Sequence, residues 1–267
     1  MRIALLQVNT IVGDLAGNAG LIAAGAREAA RFGPDLIVAP ELSLTGCPPR
    51  DLLLEKGFVE RSLEVLGDLA ADLADAPPVL VGLAVPARPL INAAALLRDG
   101  AIREVFGKTR LSRGVLDECR YFEPAAGAPR VFYLGGRRVG VSIGEEIWRD
   151  GGSMVELVRA GADMIMNLSA SPFAAGRQAL REEALSRTAR DHRTAIATAN
   201  LVGGNDGLVF DGRSSVFGAD GTLIARGAAF ADEIVIADLD RPGPQVIAPD
   251  DPAPESEIWR ALVLGTR

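Results

Sequence analysis

Cysteine is scarce in this chain. Two occur in 267 residues, Cys47 and Cys119, far apart and outside any Cys-x-x-Cys spacing, which excludes a disulfide framework and a thiolate zinc site. Histidine is scarcer still. The single His192, in "ARDHRT", leaves no Ser–His–Asp triad and no imidazole metal centre, and reads as a residue closing a helix at the surface. Long apolar runs are missing, so nothing reaches the ~20 residues of a bilayer span. The opening "MRIALLQVN" is too short and too poorly flanked for a secretory core. A cytoplasmic chain without a membrane partner is therefore expected. Positive charge is in deficit: 28 Lys and Arg stand against 35 Asp and Glu, for a net charge of −7. A nucleic-acid binder needs a basic footprint to displace phosphate counterions, and here the arginines are interleaved with acids, so no nucleic acid is expected as a partner.

What is present suits a layered body. Apolar residues make up 48% and mean hydropathy is +0.20, enough for one large α/β domain or two small ones. No repeat of 20–50 residues is found. Instead, buried strands alternate with amphipathic helices. "RIALLQV", "DLIVAP" and "PVLVGLAVP" read as strands, with "NAGLIAAGAREAARFG" and "FVERSLEVLGDLAADLA" as helices between them. The second half continues with strands "RVGVSIG", "DMIMNLSA", "TAIATAN" and "EIVIADLD", and helices "GGSMVELVRAGA" and "GRQALREEALSRTARDH". Hairpins are expected at Asp99-Gly100 and Asp220-Gly221. Two mixed sheets with helices on their outer faces follow, as one domain over residues 1–240. Residues 241–267 read as a Pro- and acid-rich extended arm and a short helix, "IWRALVLGTR".

In α/β folds reacting groups gather at strand ends. Glu41 closes "DLIVAPE", Lys108 closes "IREVFGK", and Gly144-Glu145-Glu146 closes "VGVSI". Taken singly, each acid or base is equally a solvated rim residue, and Gly144 a tight turn. Taken together, "APELSLTG", "FGKTRL" and "GVSIGEEIW" resemble the nitrilase superfamily of carbon–nitrogen hydrolases, with Gly144 at the place of its nucleophilic cysteine. "PELSLTGCPPRDLLL", "DECRYFEP", "NLSASPFAAGR", "NLVGGNDGLVFDGRSSV" and "WRALVLGTR" narrow the resemblance to the glutaminase domain of glutamine-dependent NAD synthetases, over nearly the whole chain. The resemblance implies a four-layer α-β-β-α sandwich. It implies Glu41 as general base, Lys108 as oxyanion stabiliser, and Glu118 as the group that holds the lysine or serves as a second acid–base. Ser171 and Arg177 match positions that bind glutamine, Arg177 taking the α-carboxylate, and Glu145 is placed to hold the α-ammonium.

Amide hydrolysis by this route needs a thiolate, and the chain has none at position 144. Ser142, two residues back on the same strand, is expected about 6–7 Å away and has no histidine partner; Cys47 and Cys119 are poor substitutes. Further departures surround Gly144. Cys47 stands at a usual tyrosine, "TRLSRGVLDE" lacks the Pro and Tyr expected there, and Gly207 stands at a common acid, a pattern of drift rather than a single engineered change. The resulting expectation is an ammonia-supplying glutamine amidohydrolase domain that is inactive or impaired. The alternative is a stand-alone pseudoenzyme that binds an amide metabolite or a partner protein. Glutamine or a related small amide is the expected ligand, with a synthetase domain or subunit and a second copy of the chain as expected partners. No metal or cofactor is implied. ATP and deamido-NAD would belong to a synthetase domain, whose SGGxDS-type loop does not occur in the sequence.

Overall fold

The computed structural model describes residues 1–87, 89–112, 114–147, 153–241, 243–250 and 253–266. Trp148, which ends the "GVSIGEEIW" motif, lies outside them.

The first sheet is built from β1 (Arg2–Gln7), β2 (Leu36–Val38), β3 (Val79–Val85), β4 (Ile91–Arg98), β5 (Ala101–Gly107) and, from the far end of the chain, β14 (Glu233–Asp238), in the order β14-β1-β2-β3-β4-β5. The second uses β6 (Val131–Leu134), β7 (Arg137–Ile143), β8 (Met164–Ser169), β9 (Ala195–Asn200), β12 (Ser215–Phe217) and β13 (Leu223–Arg226), in the order β6-β7-β8-β9-β12-β13. Read in those directions, both sheets show one pairing pattern: an antiparallel step, two parallel steps, then two antiparallel steps. The sheets are mixed, and each carries a parallel centre whose strand ends fall on one edge of the body.

Strand alternation explains the layers. Ile3 and Leu5 of β1 join Leu36, Val38 and Phe106 in a core shared with Val139, Val141, Met164 and Met166 of the second sheet. Ala4, Leu6 and Ile37 point the other way, onto α1 (Leu15–Ala30) and α2 (Phe58–Asp72). The second sheet is backed likewise by α3 (Ser153–Arg159) and α4 (Arg177–His192), through Leu157, Ile165, Leu185 and Ala189. Because both faces of the central strands are covered, their sequences are continuously apolar rather than alternating. The four-layer α-β-β-α sandwich expected from the sequence is what the chain forms. Both hairpins lie where expected. Asp99 and Gly100 adopt positive φ values of 50° and 73°, the geometry of a two-residue turn matched to strand twist.

A two-stranded ribbon, β10 (Val202–Asn205) and β11 (Leu208–Asp211), lies outside both sheets. Against it packs α5 (Pro254–Gly265), tied down by a buried ion pair from Arg213 to Glu257 at 2.8 Å. Among the described residues no helix is long and apolar enough to cross a membrane.

Candidate active site

Three loops leave the strand ends and converge. The first follows β2, where Ala39, Pro40 and Glu41 run past β3. Gly82 makes that passage possible: a Cβ there would stand 2.3 Å from the Pro40 carbonyl oxygen and 2.8 Å from Glu41 Cα, inside any tolerable backbone contact. The second carries Lys108 directly after β5, fixed by its own N–H donating to the Asn92 carbonyl at 2.8 Å. The third is the 3-10 turn Gly144–Ile147 after β7, where Gly144 takes φ +63°.

Glu41, Lys108 and Glu118 are all buried, at 1–2% exposure, which forces them on one another. The Lys108 ammonium donates to Glu41 Oε1 at 2.8 Å and to Glu118 Oε1 at 2.5 Å. The Asn92 amide donates to the same two oxygens at 2.8 and 3.0 Å. Glu118 is held further by the Ser112 N–H at 2.6 Å, and Glu41 Oε2 accepts from the Ala170 N–H at 3.2 Å. Burial pushes the Glu41 carboxyl up to about 7, Lys108 pulling it down and Glu118 adding to the rise. Burial alone would lower the Lys108 ammonium, but the attraction of Glu41 and Glu118 outweighs it and holds the group above its ordinary value. The lysine thus stays charged, while Glu41 is poised to titrate near neutrality.

Gly144 lies against this cluster. An added Cβ would meet Lys108 Nζ at 2.6 Å and the Glu41 carboxylate oxygens at 2.9 and 3.1 Å. Glu41 and Lys108 therefore face the position that a side chain at residue 144 would take, and the space it would need is partly occupied by their tips. The Gly144 carbonyl accepts from the Asn167 amide at 3.2 Å.

Adjacent carboxylates part here. Glu145 turns into a cavity of about 210 Å³ that also exposes Glu41, Lys108, Ser112, Ser171 and Arg177, and it pairs with the Arg177 guanidinium at 2.9 Å. Glu146 turns away and is buried. Its Oε1 accepts from the Ile143 N–H at 2.8 Å, and its Oε2 from the Thr109 and Arg110 N–H groups at 3.1 and 3.2 Å. Burial raises its pKa, and these N–H donors oppose the rise. Glu146 thereby ties the residues beside Lys108 to the residue before Gly144. Sequence reasoning gave it no role; nor did it single out Asn92, although an asparagine in the apolar strand "INAAALLR" is itself a sign of a buried polar network.

All seven residues singled out from the sequence meet at this edge: Glu41, Lys108, Glu118 and Gly144 at the inner end, Glu145, Ser171 and Arg177 toward the outer. The Ser169 and Ser171 hydroxyls are buried without a hydrogen-bond partner among the described residues, and both line the cavity. No hydrogen bond joins either to Glu41, so neither is an activated nucleophile. Ser142 does not line the cavity; its hydroxyl lies 3.4 Å from that of Ser153 on α3. Cys47 is buried beneath the site, its thiol pushed well up by burial and by Glu41 and Glu118. Cys119 is exposed, with its thiol 3.8 Å from the Ser112 carbonyl oxygen. Among the described residues the cavity presents Glu41 and Lys108 at its inner end and the paired Glu145 and Arg177 at its outer end, with no thiol among its lining residues.

Comparison with known proteins fits this geometry. Residues 2–247 match the carbon–nitrogen hydrolase family. A glutamine-dependent NAD(+) synthetase from Synechocystis sp. is 35% identical over 98% of this chain and 51% of its own length; one from Thermotoga maritima is 40% identical over 90% of this chain and 42% of its own. The structure of a glutamine-dependent NAD+ synthetase from Acinetobacter baumannii superposes with a TM-score of 0.87 at 28% identity, over 99% of this chain and 51% of that one. The chain spans about half the length of these relatives.

Proposed function

The chain belongs to the carbon–nitrogen hydrolase family, and from that premise we propose that it is the glutaminase-type domain of a glutamine-dependent NAD synthetase, able to bind an amide but disabled for its hydrolysis. One observation carries this reading: the buried Glu41–Lys108–Glu118 cluster converges on a glycine. In the hydrolytic scheme Glu41 would take a thiol proton, and Lys108 would stabilise the thiolate and the developing oxyanion. Without sulfur at position 144 no thioester forms, and loss of a nucleophile costs several orders of magnitude in rate.

The outer end supports the ligand class. Arg177 and Glu145 carry the two charges that complement an α-amino acid, carboxylate to the guanidinium and ammonium to the carboxylate, and they pair with each other across the cavity. A ligand opens that pair and replaces it on both sides. The ammonia such a domain supplies would go to a synthetase module that uses ATP. Gly144 also favours a second reading, a stand-alone binder with no partner module; an open reading frame continuing into an ATP-binding module would exclude it.

The test is ammonia release from L-glutamine, by protein whose Gly144 is confirmed by mass spectrometry and by Gly144→Cys. No release is expected from the former. Only modest recovery is expected from the latter, because the new Cβ must displace Lys108 Nζ and adopt φ +63°. Turnover by the parent at about 1 s⁻¹ or faster, the range of ordinary enzymes, would overturn the proposal.

A further inference from the structure

Resting on the reading above, we infer that Glu41 makes this site discriminate a distal primary amide from a distal carboxylic acid, so that its occupancy reports the ratio of an amide amino acid to its hydrolysis product.

The argument is an inventory of donors and acceptors at the inner end of the cavity. Glu41 Oε1 is engaged by Lys108 and Asn92, whereas among the described residues Oε2 accepts only the Ala170 N–H at 3.2 Å, which leaves lone-pair capacity facing the cavity. The Lys108 ammonium has three N–H donors and spends two, on Glu41 and Glu118. One free donor and one free acceptor therefore stand side by side, 2.6 and 2.9 Å from the point where a Cβ of residue 144 would be. With a glycine there, no side chain of residue 144 stands between them and a ligand.

A primary amide matches this pair: its carbonyl accepts from Lys108 and its NH₂ donates to Glu41. A carboxylate offers two acceptors. One suits Lys108, but the other meets Glu41 Oε2, acceptor against acceptor, in a buried setting where an unmatched polar contact is costly. The acid fits only when one proton is taken up and shared between ligand and Glu41. The groups that set this balance are Lys108 after β5, Glu118 on its 3-10 turn and the buried Cys47 thiol from the loop after β2, with Asn92 on β4 and the Ala170 N–H after β8 as neutral donors. Glu145 and Arg177 face the other end of the ligand. Since burial holds the Glu41 carboxyl up to about 7, the proton is available just below neutrality and lost above it. Acid binding then weakens above that point, approaching about tenfold per pH unit, while amide binding stays level.

Isothermal titration with L-glutamine and L-glutamate decides this, run at pH 6, 7 and 8 in two buffers of different ionisation enthalpy. The expected result is an acid-to-amide Kd ratio that rises about fivefold between pH 7 and pH 8, with proton uptake on glutamate binding growing from about half at pH 7 toward one at pH 8. Glu41→Gln turns the acceptor into a donor, so it is expected to favour glutamate and to lose the pH dependence. Should that variant not fold, the parent's pH series decides alone. A ratio that stays constant with pH while both ligands bind overturns the inference and leaves the proposed function standing. Failure of both ligands to bind at tens of millimolar overturns the proposed function, and this inference with it.

Discussion

The two sheets share one pairing pattern, yet they contribute unequally to the site. The first delivers Glu41 and Lys108 from the ends of β2 and β5, buried and bonded to each other and to Glu118. The second delivers, from the end of β7, a glycine. The difference teaches that a charged cluster and a nucleophile are protected by different physics. Each member of the cluster is the counter-ion of another, so losing one strands a charge in the interior. Removing one partner of a buried ion pair costs about 3–5 kcal/mol. A nucleophile has no such hold on the fold: its loss affects rate and leaves the sandwich intact. The residue at position 144 can vary while the charged cluster around it stays in place.

Substitutions can break or sharpen this contrast. The largest effect is expected from Lys108→Met, which leaves Glu41 and Glu118 facing one another in the interior. Chemical denaturation at neutral pH should show about 3–5 kcal/mol of lost stability, and a loss under 1 would mean that the cluster is not a structural unit.

Next is Glu41→Gln, read against pH. The Glu41 carboxyl sits at about 7 when folded against an ordinary value of 4.5, so between those values the folded state binds more protons than the unfolded one. Parent stability must then fall as pH rises across that window and level off above it. Glutamine does not titrate, so the variant's melting temperature should gain on the parent's from pH 5 to pH 7 and hold its advantage at pH 8. Parallel profiles would contradict the assignment.

On the second sheet the expected effects are smaller. Gly144→Ala places a Cβ against flexible side-chain tips at positive φ, at a cost of about 1–2 kcal/mol. A loss as large as that of Lys108→Met would erase the difference between the sheets. Smallest is Ser142→Ala, whose hydroxyl among the described residues meets only that of Ser153 at a long 3.4 Å; about 0.5 kcal/mol or less is expected by thermal melting.

Much of this architecture is legible in the residues, for reasons that also mark where legibility ends. Strands covered on both faces, such as "LIV" in β2 and "MIMNLS" in β8, announce themselves as apolar runs. Asp99-Gly100 and Asp220-Gly221 announce their turns. The β10–β11 ribbon escapes because its strands are four residues long and Gly203-Gly204 interrupts one of them, although Asp206-Gly207 at its turn, with φ 51° and 71°, carries the same signal as the other hairpins. At the site, residues read from strand ends were found together. Glu146 was missed because its partners are backbone N–H groups, which no side-chain pattern reveals, and Ser142 faces α3 by regular alternation, opposite Val141 and Ile143, while the turn at Gly144 takes residue 144 off that face.

The buried Glu146 carboxylate carries one more consequence. By gripping Ile143 with one oxygen and Thr109 and Arg110 with the other, it joins the end of β7 to the residues after β5, so the positions of Gly144 and Lys108 are set together. The cavity is also lined by Gly114, Val115 and Leu116, of which Val115 is 58% exposed. That wall belongs to "TRLSRGVLDE", the stretch without the Pro and Tyr that the resemblance implies, whereas Glu146 fixes the backbone on which Lys108 and Gly144 sit.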